Sequence, residues 1–235
     1  MKSLGSFLAT STLLSFLAVP ATFGTTIGQI DTFEDGTTAG WVVGLLGALH
    51  LAPPENVPRG GPGGVDDNFL LLRSAGSGGA GSHLTVLNPD QWAGNYLAAG
   101  IGTIRMDVAN FGDTDLALRL LFEDPQGGPR QDHAFSKVPI LLPAASGWAT
   151  VSFPIDPAAL QADAGSVDAA LMNATVLRIF HSTYSTYPGE SITASLGVDN
   201  IQAIRAVPET TPTLGLLALS LLAFRSRRAG VGPVS

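Results

Sequence analysis

The chain has 235 residues, a formal charge of −7 and no cysteine, which excludes disulfide frameworks and thiolate metal sites. Hydrophobic residues make up 45% and charged residues 13%, a balance that excludes a disordered chain. Four of the twelve basic residues (Lys2, Arg225, Arg227 and Arg228) sit at the ends, so acids dominate between them; that surface repels phosphate backbones, argues against nucleic acid, and suits divalent cations or neutral glycans.

In chain order, residues 1–24 read as a secretory signal peptide. Lys2 supplies the positive start, Phe7 to Val19 the apolar stretch, and Ala21 or Gly24 the small-residue cleavage position. A buried N-terminal helix is the alternative. Residues 25–206 then read as one domain. Short apolar runs separated by glycine and proline favour many strands and turns over a helical bundle. "NFLLLRS" and "HLTVLN" are continuously apolar and read as interior strands, with the glycine-rich stretches "RGGPGG" and "SAGSGGAGS" as loops. "TIRMDVAN" alternates, with Ile104, Met106 and Val108 on one face and Arg105 and Asp107 on the other. "DLALRLLFED" sends Leu116, Leu118, Leu120 and Phe122 inward and Arg119 outward. The turn-rich "NFGDTD" between these two runs predicts a hairpin. "WATVSFPI" repeats the alternation with Val151, Phe153 and Ile155.

Asp156 as cap and Pro157 at the first helical position predict a helix through "AALQADAG", and a second short helix runs from Ser166 to near Asn173. "TVLRIFHS" is an interior strand, and "ASLGVDNIQAI" closes the domain. There Val198 and Ile201 are three apart, so alternation slips at Asp199-Asn200, as a β-bulge requires. The fold class is therefore all-β, an antiparallel β-sandwich of jelly-roll type with one or two short helices.

Residues 207–235 are different. Val207-Pro208-Glu209 is followed by an apolar run over 212–224, well short of the roughly 20 residues that span a bilayer, and by Arg225, Arg227 and Arg228. A plain C-terminal membrane anchor is one reading. The tripartite layout also resembles a PEP-CTERM sorting signal, with Thr210 where that family commonly has proline. The resemblance implies an exosortase-type processing enzyme as partner, transient residence in the inner membrane through 212–224, a Gram-negative exopolysaccharide-producing setting, and an exported protein of the cell envelope or matrix.

The search for a catalytic constellation finds none. His50, His83, His133 and His181 are scattered, and neither HExxH nor GxSxG occurs. Asp132-His133 is read as part of a loop, and His181, in an apolar run, as a satisfied buried histidine. Trp41 and Trp148 open strand-like runs and read as core. Trp92 and Tyr96 lie in the polar stretch "NPDQWAGNYLAAG", where exposed rings would stack on a sugar and Asp90 and Asn95, with Asn88 and Gln91, would bind hydroxyls; the alternative is that Trp92 plugs the end of the sandwich. Tyr184 and Tyr187 in "STYSTYPGE" are a second aromatic candidate.

"DTFEDGTTAGW" and "GVDNI" together resemble the bracketing segments of galactose-binding-like jelly rolls, which include many carbohydrate-binding modules. That resemblance implies that the two ends of the domain meet and share a structural calcium, with carboxylates from Glu34 and Asp199 and further ligands from Asp31 and Asp35. Solvated turns are the plainer reading of these acids. The expected function is a non-enzymatic surface or matrix protein associated with exopolysaccharide and binding glycan. A secreted polysaccharide hydrolase or lyase and a ligand-free structural subunit are the alternatives.

Overall fold

The computed structural model describes residues 24–44, 52–79, 81–124 and 131–206. The expected signal peptide (all but Gly24) and the whole 207–235 segment, including Val207, Pro208 and Glu209, lie outside the described residues. Among the described residues no helix is long and apolar enough to cross a membrane.

In chain order the elements are β1 (Ile30–Asp31), β2 (Glu55–Val57), β3 (Phe69–Ala75), β4 (Thr85–Asn88), α1 (Tyr96–Ala99), β5 (Ile101–Asn110), β6 (Leu116–Asp124), β7 (Asp132–Ser136), β8 (Ile140–Leu142), β9 (Ser146–Pro154), β10 (Leu160–Ala164), α2 (Val167–Met172), β11 (Val176–His181) and β12 (Thr193–Arg205). They form two antiparallel sheets. The first runs β2-β3-β12-β5-β9, with β1 also on β12; the second runs β10-β7-β6-β11-β4, with β8 also on β6. This is the antiparallel jelly-roll sandwich the alternating runs predict. The shared core takes Ile104, Met106 and Val108 from β5, Leu118, Leu120 and Phe122 from β6, and Leu196 and Val198 from β12.

Three local expectations are corrected. β5 and β6 do not form a hairpin: β5 lies between β12 and β9, β6 between β7 and β11, and their connector crosses from sheet to sheet. Asn110 fastens that corner by donating Nδ2–H to the carbonyls of Thr114, Leu142 and Pro143. Asp156 does cap a turn, accepting from the amides of Ala158 and Ala159, but the chain then enters β10 and pairs with β7. Tertiary pairing overrides the helical propensity of "AALQADAG" there. His133 is likewise in β7, not in a loop. The second expected helix is present as α2, capped by the Ser166 hydroxyl, and α1 arises where only a polar loop was expected, capped by Asn95.

The two ends of the domain meet, with β1 antiparallel to β12 at Ile30–Gln202 and Asp31–Ile201. The register shift between Asp199 and Gln202 is the expected bulge, and Asn200 takes it up at φ +50°.

Candidate functional site

The residues that sequence reasoning singled out separate into different places. Trp92 and Tyr96 are fully buried, so neither ring offers a face to a sugar. Both indoles at this end, Trp41 and Trp92, donate Nε1–H to Asp31 Oδ2, at 2.8 and 2.7 Å, and Gln91 Nε2 donates to Asp31 Oδ1 at 2.7 Å. Trp92 thus plugs the sandwich end, with its ring 6.3 Å from that of Trp41. Tyr96 donates its hydroxyl to the Trp92 carbonyl at 2.6 Å, and burial pushes its pKa far above the usual phenol value. Asn95 is committed to capping α1, accepting from the Ala98 amide at 2.8 Å. Asp90 is exposed, but with Trp92 and Tyr96 turned inward it has no aromatic platform beside it. The glycan site assigned to Trp92, Tyr96, Asn95 and Asp90 is therefore not assembled.

Asp31 is engaged on Oδ2 by the two indoles and on Oδ1 by Gln91. Burial raises its pKa, and the hydrogen bonds from Trp92, Trp41 and Gln91 offset part of that rise. Glu34 is exposed and accepts from the Asn68 amide at 2.9 Å. Asp35 closes a local turn on Thr37. Asp199 is buried at 1% exposure and accepts from its neighbour Asn200, through N at 2.7 Å and Nδ2 at 3.2 Å. Burial pushes its carboxyl up to about 7; the Asn200 amide opposes this, while Asp67, Asp107 and Glu34 add to it by repulsion. Among the described residues no three His, Asp or Glu side chains are arranged to hold a metal ion.

The outer face of the second sheet brings together groups the sequence left scattered. Because Leu120 and Phe122 enter the core, period two turns Arg119, Leu121 and Glu123 to the opposite side. Pairing sets His133 beside Glu123, Phe135 beside Leu121, Arg178 beside Leu121 on its other flank, and Phe180 beside Arg119. Leu121, Phe135 and Phe180 form a second apolar cluster on this face, and Tyr187, from the loop after β11, packs on it. The Tyr187 ring lies 5.3 Å from Phe180 and 5.4 Å from His133, with the Arg178 guanidinium 5.5 Å from its centre. Tyr184, on the same loop, is 68% exposed.

Polar order on this face is dense. Arg178 Nε donates to Glu123 Oε1 at 2.5 Å. The register between β10 and β7 shifts at Ala162/Ala164, and the intervening Asp163 turns its carboxylate onto His133 Nδ1. With Nδ1–H held by Asp163, His133 Nε2 faces Glu123 Oε2 at 3.8 Å and is buried without a hydrogen-bond partner among the described residues. Thr85 Oγ1, opposite Phe180 in the β4–β11 pair, is also buried and without a hydrogen-bond partner among the described residues, as is Nδ1 of nearby His83. Below the face, Arg119 donates to the carbonyls of Ser182, Ser136 and Lys137, tying β6 to both neighbouring strand ends; burial lowers its pKa. His181 is the satisfied buried histidine expected: Nδ1 accepts from the Ala117 amide at 2.9 Å and Nε2 pairs with Glu190. Burial lowers its pKa, against the pull of Glu190.

No family model matches the chain, and no curated protein matches it either. Solved structures do resemble it. One is an exo-beta-agarase, at TM-score 0.52 and 12% identity over 78% of this chain, which spans 25% of the agarase chain. Another is the family 11 carbohydrate-binding module of Clostridium thermocellum, solved with a beta-1,3-1,4-mixed-linked tetrasaccharide, at TM-score 0.49 and 14% identity, covering 78% of this chain and 99% of that one. A third is a family 28 module specific for non-crystalline cellulose, at TM-score 0.47 and 15% identity, covering 79% and 99%. At these identities the likeness is one of fold.

Proposed function

We propose that this chain is an exported, non-enzymatic β-sandwich that binds a neutral polysaccharide on the outer face of its second sheet. The observation that carries the reading is the Tyr187 ring, held on this face against Phe180, His133 and the Arg178 guanidinium, on the same loop as the 68% exposed Tyr184. Beneath it His133, oriented by Asp163 and facing Glu123 across 3.8 Å, is sealed from solvent and supports the ring without touching a ligand. Tyr187 and the exposed Tyr184 supply ring faces for the CH side of a sugar, and the exposed Asp163 brings a carboxylate to its rim.

The fold shared with part of an agarase agrees with a polysaccharide ligand, and the surplus of acids disfavours a polyanionic one. Export rests on the signal-like residues 1–24 and the sorting-like residues 207–235, and processing by an exosortase-type enzyme on the latter alone. Association with exopolysaccharide follows from the two readings together. Affinity electrophoresis through gels containing mixed-linked β-glucan, agarose or amorphous cellulose tests the binding. Retardation in at least one gel, reduced in Tyr187→Ala, is expected; equal migration in all of them contradicts the reading.

A hydrolytic alternative draws on Glu123 and Asp163, two carboxylates flanking His133 on one face. Release of reducing ends from any of these polysaccharides, abolished by Glu123→Gln, would establish it. A structural calcium belongs to the proposal in narrowed form. Asp199 and Glu34 would hold it, with main-chain carbonyls and water as the remaining oxygens that calcium needs. Its signature is a melting temperature raised by calcium in the wild type and unresponsive in Asp199→Asn.

A further inference from the structure

The outer face of the first sheet carries an aromatic group that no part of the reading above uses. The alternation that turns Val151 and Phe153 inward turns Trp148 and Thr150 outward, so Trp148 is not in the core as its place at the head of a strand suggested. It stands half-buried on the sheet, edge-on to Phe69 at 5.2 Å and to Phe111 at 5.8 Å. The Phe111 and Trp148 rings sit over Gly197 of β12. A Cβ there would come within 2.7 Å of Phe111 and 2.8 Å of Trp148, so the missing side chain is what lets the rings lie down on the strand. Trp148 Nε1–H is bound to the Gly60 carbonyl at 2.9 Å, which fixes the ring without hiding it, and Phe111 is 46% exposed.

Along the same face the rings give way to a cleft of about 330 Å³ lined by Ile30, Arg105, Met106, Asp107, Thr150 and Asn200. Its polar groups are held in place. Asp107 accepts from Thr150 Oγ1 at 2.5 Å and from Asn200 Nδ2 at 2.9 Å, and Arg105 NH2 donates to Gln202 Oε1 at 2.6 Å. A fixed ring platform on the same sheet face as a small cleft of carboxylate, amide, hydroxyl and guanidinium groups, with Trp148 and Thr150 on one side of β9, matches a sugar chain. The rings take its CH faces, and planar polar groups take its paired hydroxyls. A protein partner would call for a larger apolar patch, whereas around the platform and cleft the exposed large apolar side chains among the described residues are Phe111 and Ile30.

We propose that the Trp148–Phe111 platform and the Arg105–Asp107–Thr150–Asn200 cleft form a second binding surface for a neutral polysaccharide. The domain then carries one site on each outer face and bridges two strands of the polymer. This rests on the glycan reading of the second sheet, and its test separates the two.

The chain has three tryptophans, of which Trp41 and Trp92 are fully buried, so quenching of fluorescence by acrylamide reports on Trp148. The probes are mixed-linked β-glucan, soluble agarose and amorphous cellulose. Saccharide is expected to protect Trp148 from the quencher in the wild type and in Tyr187→Ala, which disables the other face. Thr150→Arg, at an exposed position, is expected to abolish the protection while leaving retardation by the other face intact. The wild type, but neither single variant, is expected to raise the light scattering of a dilute polysaccharide solution by cross-linking. Retardation without protection of Trp148 overturns the second surface alone. Loss of protection in Tyr187→Ala also overturns it, and absence of retardation and protection together overturns both surfaces.

Discussion

Asp31 shows how one carboxylate can decide the end of a sandwich. It meets three donors from two distant segments, and two of them are indole N–H groups inside the core. Asp31→Ala strands both, at about 1–3 kcal/mol each, and a melting temperature lower by about 5–20 degrees, read by circular dichroism, is expected. Asp199 acts in the opposite sense. Its carboxyl is raised from 3.8 to about 7 in the folded chain, chiefly by burial. Between those two values the folded state holds a proton that the unfolded state has lost. Stability therefore falls as pH rises through that window and levels off above it; the raised Asp31 adds in the same direction. Melting temperatures in chelator should be lower at about pH 8 than at about pH 5. Asp199→Asn should remove much of that slope, and a slope unchanged in the variant would contradict the assignment. At this scale the sequence was only half legible. His181 and Trp41 declared themselves by sitting in apolar runs. Trp92 and Tyr96 did not, because the Asp31 that receives the Trp92 indole is 61 positions away.

Period-two alternation located most strands, and it even contained the correct side for Trp148, since residues 151 and 153 point inward. It was silent about which sheet each strand joins. The β5–β6 connector has the composition of a hairpin turn, yet the two strands belong to different sheets, because β12 and β9 take the edges of β5. The turn at Asp156 was equally real, but one capped turn does not make a helix when the next residues find a partner in β7. The β12 bulge was legible because it breaks the alternation of a long strand. The bulge that aims Asp163 at His133 was not, being inside a short strand read as helix. Gly197 is the testable position at this level. Gly197→Ala forces the Phe111 and Trp148 rings off β12, with an expected cost of about 1–3 kcal/mol and a red shift of the Trp148 emission. An unchanged emission would mean the rings do not rest there.

Across the whole molecule, the two faces of the second sheet divide the work. The inner face belongs to the shared core, and the outer one carries a second small apolar cluster with Arg178, Glu123, His133 and Asp163 arranged over it. None of these four was nameable as a site residue from the sequence, since each comes from a different strand and only pairing brings them together. Tyr184 and Tyr187 were the signal, aromatics in a polar loop. The most direct test of the account is titration calorimetry of the wild type, Tyr187→Phe and Tyr187→Ala with mixed-linked β-glucan, agarose and amorphous cellulose. Saccharide binding on this face predicts measurable affinity in the wild type, retained in Tyr187→Phe and weakened roughly tenfold or more in Tyr187→Ala, as loss of a stacking ring implies. Equal affinity in wild type and Tyr187→Ala, or no heat of binding with any of the three, would contradict it.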